Sequence, residues 1–286
     1  MRLRRLLPLA ALVLAIGLVT VVVMLRTPDR RVLPAAADEP PTLRGRVTAF
    51  LATQYAEQPY RDPTDAERAA AVGSRYAELG FTSVEGVDEV TGRRYALHTS
   101  PPDERAWGAV LVDLSQPTRV AVEVPHPRTD IGTEWIGLDV FRAVPGSVLL
   151  IAGANRRAAG ELADVAHNEN SLYQALSLDL ARRGVPQLQL HGFADLNLPD
   201  HDIAVSTGAD KPNPLAIRIA DGLAEAGFDE CRAWAQKCGR LEGTTNVQAK
   251  AAALATAPFA HVELSNRVRT DEPRRAALVD ALAAAV

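Results

Sequence analysis

Three stretches of the chain set histidine and acid at or just after apolar runs. Val124-Pro125-His126 is followed at a distance by Glu134. Gln189-Leu190-His191-Gly192 comes next, and His261-Val262-Glu263-Leu264-Ser265-Asn266 is last. Two imidazoles and one carboxylate are a standard ligand set for a catalytic zinc, which keeps a fourth position for water. Such a centre also needs a carboxylate as general base. His126, Glu134 and His191 are therefore the candidate zinc ligands, and Glu263 is the candidate base.

Each candidate has a plainer explanation to set against this one. Glu134 falls in the first turn of an expected helix, where the helix dipole favours an acid anyway. Asp130 is a rival ligand or a helix cap. His191 ends the charge-free run Val185-Pro186-Gln187-Leu188-Gln189-Leu190 and precedes Gly192, which suits a ligand or catalyst better than a core histidine. Glu263 is a lone carboxylate in an apolar strand, costly unless it is paired or metal-bound. Period two sets it on the opposite face from Val262 and Leu264. On an edge strand it would face water; on a central strand it calls for a function. In Gly153-Ala154-Asn155-Arg156-Arg157, Asn155 with Arg156 or Arg157 can grip a substrate carboxylate through a bidentate guanidinium contact. The same stretch also reads as a solvated loop. His167 either touches substrate or precedes a helix that Asn168 and Ser171 cap. His201 belongs to a polar turn and His98 to a hairpin.

The elements that would position these residues read as follows. A helix covers Thr42 to Glu57, a second begins at Thr64 or Asp65, and Val87 to His98 is a hairpin around Thr91-Gly92. From Trp107 onward, short Val-rich strands alternate with helices. The strands are Gly108–Leu114, Arg119–Val124, Ser147–Ala152, Val185–His191, Asp202–Ser206 and Phe259–Leu264. The helices are Thr133–Ala143, Asn168–Arg183, Pro214–Ala226, Val247–Thr256 and Pro273–Ala285. Alternation of this kind predicts an α/β fold with a mostly parallel sheet and helices on both faces. In such sheets ligands bind at the carboxyl ends of the strands, where distant residues converge.

The first residues carry three arginines, and residues 6–25 are free of charge. About 20 apolar residues suffice to span a bilayer. The Arg-rich start favours a single-pass signal anchor with the rest of the chain outside the cytoplasm. A cleaved signal peptide ending near Ala35-Ala36-Ala37, and so a secreted protein, is the alternative. Residues 26–41 then form a linker, 42–100 a helical lead-in with a hairpin, and 101–286 the α/β domain. The chain's two cysteines, Cys231 and Cys238, lie close together, which in an exported chain suggests a disulfide. Net charge is −4 and basic residues are scattered, which argues against nucleic-acid binding. No Gly-x-Ser-x-Gly elbow and no phosphate-binding glycine loop occurs, so a serine hydrolase and a nucleotide-binding protein are disfavoured.

The order of His126, Glu134, His191 and Glu263 resembles that of zinc-dependent amide hydrolases: metallocarboxypeptidases, N-formylglutamate amidohydrolases and N-acetylmuramoyl-L-alanine amidases. Val262-Glu263-Leu264-Ser265-Asn266, continuing to Ala276-Ala277-Leu278, is similar to the closing segment of the wall amidases. Asn155-Arg156 is similar to the carboxylate-binding pair of the carboxypeptidases. The resemblance implies a phosphorylase/hydrolase-like fold, a zinc cofactor, and cleavage of an amide in an amino-acid, peptide or peptidoglycan-type substrate. It also implies that Glu263 carries the proton from water to the leaving nitrogen. The competing expectation is an anchored binding module on the same fold without activity.

Overall fold

The computed structural model describes residues 41–208 and 211–286. The expected anchor at residues 6–25 and nearly all of the linker lie outside the described residues. Among those described, no helix is long and apolar enough to cross a membrane. Thr42–Val286 forms one compact unit.

Local signals set the ends of many elements. Helix α1 (Leu43–Leu51) starts where the Thr42 hydroxyl accepts the Gly45 N–H. Helix α2 (Asp65–Val72) starts at a reciprocal box between Thr64 and Glu67. The hairpin of β1 (Thr82–Val87) and β2 (Arg94–Thr99) follows, then β3 (Gly108–Asp113). Next come β4 (Val120–Val124), α3 (Thr133–Ala143), β5 (Ser147–Ala152), α4 (Leu172–Arg182) and β6 (Gln187–Phe193). The chain continues through β7 (Ile203–Ser206), α5 (Pro214–Glu225), β8 (Glu230–Arg232), α6 (Val247–Leu254) and β9 (Phe259–Ser265). It closes with α7 (Asn266–Thr270) and α8 (Glu272–Ala285). Cys231, in β8, and Cys238 form the expected disulfide.

The described residues form one nine-stranded sheet in the order β1-β2-β3-β5-β4-β6-β9-β7-β8. It is mixed rather than mostly parallel. Strands β5, β4, β6 and β9 run parallel, as do β7 and β8. The β1–β2, β2–β3, β3–β5 and β7–β9 pairs are antiparallel. A short hairpin connection permits only antiparallel pairing of β1 with β2, so the lead-in hairpin extends the sheet itself.

On one face, Val122, Val124, Leu188, Leu190, Val262 and Leu264 pack in a core with Ile136, Ile219 and Leu278 from α3, α5 and α8. Each such side chain contributes roughly 1.5–3 kcal/mol on burial. On the other face, Val110, Ala121 and Leu150 meet Tyr173 and Leu180 of α4, while Phe259 meets Ala181 of α4 and Ala249 and Ala252 of α6. Strand β4 connects outward to β5, and the chain then returns to β6 on the other side of β4. This reversal opens a crevice at the carboxyl ends of β4 and β6.

Candidate metal centre and its cleft

His126 follows the carboxyl end of β4, and His191 lies near that of β6. Both are buried, with 2% and 5% exposure. The loop after His126 doubles back: the N–H of Asp130 donates to the His126 carbonyl at 3.0 Å. The Asp130 carboxylate therefore returns beneath the imidazole. Its Oδ2 lies 3.3 Å from His126 Nδ1 and 3.6 Å from His191 Nδ1. One ligand atom each from His126, Asp130 and His191 falls within 4.8 Å of the others.

Glu134 does not join this group. Its Oε2 accepts the Gly132 N–H at 3.0 Å at the start of α3, the helix-terminus role open to an acid in that turn. Asp130 stands where Glu134 was expected, because the turn, not the helix, brings a carboxylate back to His126.

The chemistry of the donors fits a divalent cation. His126 Nε2 faces Asp164 Oδ1 at 2.8 Å, and His191 Nε2 faces Gln189 Oε1 at 2.8 Å. Both rings are thus held by outer acceptors through Nε2 and turn Nδ1 inward, the arrangement typical of metal-bound histidine. Asp130 Oδ2 also accepts the Gly192 N–H at 3.1 Å, which fixes the carboxylate and leaves a lone pair. Gly192 has a steric role as well. A Cβ there would lie 2.6 Å from Arg269 Nε, and Arg269 ties the Leu264, Phe193 and Ile131 carbonyls together.

Electrostatics follow the geometry. Burial pushes Asp130 upward, but hydrogen bonds from His126 and His191 overcome it and hold the carboxyl well below its usual range. Burial likewise opposes ionisation of Asp164, and His126, His167 and Arg156 reverse that. Burial lowers His126, yet Asp130 and Asp164 raise it overall. His191 is lowered to about 4 by burial and by the neighbouring His261.

A cleft of about 560 Å³ opens over this group. His126, Arg156, His167, His191, His261 and Glu263 line it. Glu263 lies on β9, which is interior, between β6 and β7, and pairs in register with His191. Arg156 Nη2 donates to Asp164 at 2.5 Å, and its Nη1 lies 3.3 Å from His126 Nδ1. His167 lies 3.2 Å from Asp164 and 3.1 Å from the Thr245 hydroxyl. Asn155 and Arg157 stay out of the cleft lining. The Asn155 Oδ1 accepts the Arg157 N–H at 3.0 Å, and Arg157 is exposed. That half of the loop is the solvated turn.

Asp164 and His261 belong to the site although neither was a site candidate. His261 is 3% exposed, and neither ring nitrogen has a hydrogen-bond partner among the described residues. Its Nε2 lies 3.5 Å from Glu263 Oε1. The sequence signal was the alternation His261-x-Glu263, which puts both on one face of a strand. Gly243 passes over the ring with φ +63°, and a Cβ there would lie 3.0 Å from it.

No protein-family model matches the chain, and no curated protein matches its sequence. Among solved structures it is similar to a bacteriophage poly-gamma-glutamate hydrolase (14% identity, 62% of this chain and 86% of that one, TM-score 0.42). It is also similar to the N-formylglutamate amidohydrolase from Ralstonia eutropha JMP134 (14% identity, 63% and 95%, TM-score 0.41). A third is a metallo-carboxypeptidase from Burkholderia cenocepacia (16% identity, 80% and 70%, TM-score 0.41).

Proposed function

We propose that the protein is a metal-dependent amidohydrolase or peptidase, with His126, Asp130 and His191 holding the cation. The observation that carries this reading is the convergence of one ligand atom each from His126, Asp130 and His191 within 4.8 Å, beside a polar cleft that both histidines line. A nitrogen-rich set of this kind suits zinc. When bound, a zinc ion supplies Lewis acidity, which polarises a carbonyl and acidifies water.

The protein's own groups do the rest. Glu263 stands in register beside His191 and faces the cleft. It takes the proton from the attacking water and returns it to the leaving nitrogen. Arg156 keeps Nη2 on Asp164, and its Nη1, which lies 3.3 Å from His126 Nδ1, would turn to a substrate carboxylate once the cation takes that lone pair. His261, whose ring nitrogens have no hydrogen-bond partner among the described residues and whose Nε2 lies 3.5 Å from Glu263, meets a polar group of the substrate there. The cleft is lined by polar side chains, glycine and alanine, without a bulky aliphatic residue. A small polar amide, such as an N-acyl amino acid or a wall-type peptide, suits it. The disulfide supports a working place outside the cytoplasm, with residues 6–25 as membrane anchor or cleaved signal.

Elemental analysis of the purified protein beside a His191→Ala variant tests the reading. Near-stoichiometric zinc in the parent and its loss in the variant are expected. Amine release from N-acyl amino acids and wall peptides then finds the substrate. A parent that takes up no metal after zinc is supplied sinks the proposal and leaves a binding module.

A further inference from the structure

Beneath His191 lies a buried polar cluster that the reaction described above does not use. Glu123, Gln189 and Gln248 are fully buried and Asn246 nearly so. Glu123 and Gln189 are register partners across β4 and β6. Burying these polar groups in the middle of a sheet is costly unless each is hydrogen-bonded.

The partners of Gln189 fix which way its amide points, and backbone groups anchor the assignment at two ends. Gln248 Nε2 donates to the Val165 carbonyl at 2.8 Å, so its Oε1 turns to Gln189 Nε2 at 3.2 Å. Asn246 Oδ1 accepts the Ala249 N–H at 2.9 Å, so its Nδ2 donates to Gln189 Oε1 at 2.6 Å. Glu123 Oε2 accepts from Gln189 Nε2 at 2.8 Å, which braces the same orientation through a carboxyl oxygen. Gln189 therefore presents its carbonyl oxygen to His191 Nε2 at 2.8 Å, and that nitrogen must donate. A neutral imidazole that donates from Nε2 keeps its lone pair on Nδ1. Nδ1 is the atom that faces Asp130.

We propose that Gln189, braced by Glu123, is a positioning residue that locks His191 in the tautomer whose Nδ1 faces the metal. The pair does for His191 what Asp164 does for His126, with a neutral amide set between the carboxylate and the ring. This rests on the metal-dependent reading above. Loss of such an outer partner weakens metal binding by about 10- to 100-fold.

Two measurements on the purified full chain test it. Long-range ¹H–¹⁵N NMR of the metal-free protein reads the His191 tautomer, assigned with His191→Gln. A single Nε2-protonated form is expected in the wild type and a mixture in Gln189→Leu. Zinc affinity by chelator competition should fall about 10- to 100-fold in Gln189→Leu. It should fall less in the exchanged Glu123→Gln/Gln189→Glu protein, in which residue 189 still accepts from His191 and residue 123 supplies the donor that faces it. Should Gln189→Leu fail to fold, the wild-type tautomer and the exchanged Glu123→Gln/Gln189→Glu protein still decide. An Nδ1-protonated His191 in the wild type overturns the proposal, as does a folded Gln189→Leu that binds zinc like the parent. A wild type with the Nε2-protonated form that takes up no zinc overturns the metal-dependent reading itself.

Discussion

The two faces of β4, β6 and β9 are built from alternate residues of the same three strands, yet they obey different rules. One face carries Val122, Val124, Leu188, Leu190, Val262 and Leu264, all in a single apolar core. The other carries Glu123, Gln189, His191, His261 and Glu263, of which the first four are buried. The apolar face gains stability by leaving water, and any residue of suitable size and shape serves there. The polar face gains nothing from burial alone. It is tolerable where hydrogen bonds, or groups brought in from outside, satisfy its atoms. The edge of the sheet sharpens the point. Glu85 on β1 is exposed and paired with Arg94, an ordinary solvated pair with no consequence for function.

Substitutions on the two faces should separate chemistry from stability. The largest effect is expected from paired variants. Glu263→Gln should lower turnover of whichever N-acyl substrate the parent cleaves by about 100- to 10,000-fold. Its urea midpoint should stay near that of the parent. Leu190→Ala, one residue before His191 and facing the other way, should cost roughly 2–5 kcal/mol of stability, with zinc binding kept in the folded fraction. Comparable loss of stability in both variants would erase the distinction between the faces.

A smaller effect should appear in the pH dependence of Glu123. Burial raises its carboxyl to about 7 from an ordinary value of 4.5, against the hydrogen bond from Gln189 that lowers it. The folded state therefore holds a proton that the unfolded chain has released. The associated stability is fully present below about 4.5 and is lost as pH rises through about 7. Chemical denaturation of the metal-free protein should show Glu123→Gln gaining on the parent by up to about 3 kcal/mol between pH 4.5 and 8. A pH-independent difference would mean that Glu123 is not raised. The smallest effect is expected at Glu134. Glu134→Gln keeps an acceptor for the Gly132 N–H and should leave zinc affinity unchanged, with stability altered by less than about 1 kcal/mol. Loss of zinc in this variant would restore Glu134 to the ligand set in place of Asp130.

The sequence made the element order legible because local rules govern it. Both ends of α3 and of β5 fall where turn residues and apolar runs set them. Strand direction was not legible, since alternation looks the same in either direction, and half of the pairings proved antiparallel. The choice between Asp130 and Glu134 depended on backbone angles. Arg128 at φ +63° lies inside the turn whose fourth residue, Asp130, donates its N–H back to the His126 carbonyl. An arginine does not announce a left-handed turn. His261 was visible as one of a histidine–acid pair. Its burial, however, comes from β6, β7 and Gly243, segments remote from it along the chain.

Strand β9 is the last strand in the chain but sits between β6 and β7, and β7 and β8 reach the rest of the sheet through it. Without residues 259–265 the sheet would hold a gap between β6 and β7, with an unpaired edge on each side. The residue that closes the cleft, Glu263, arrives with the strand that closes the gap. Completion of the cleft and joining of the two parts of the sheet therefore depend on the same seven residues.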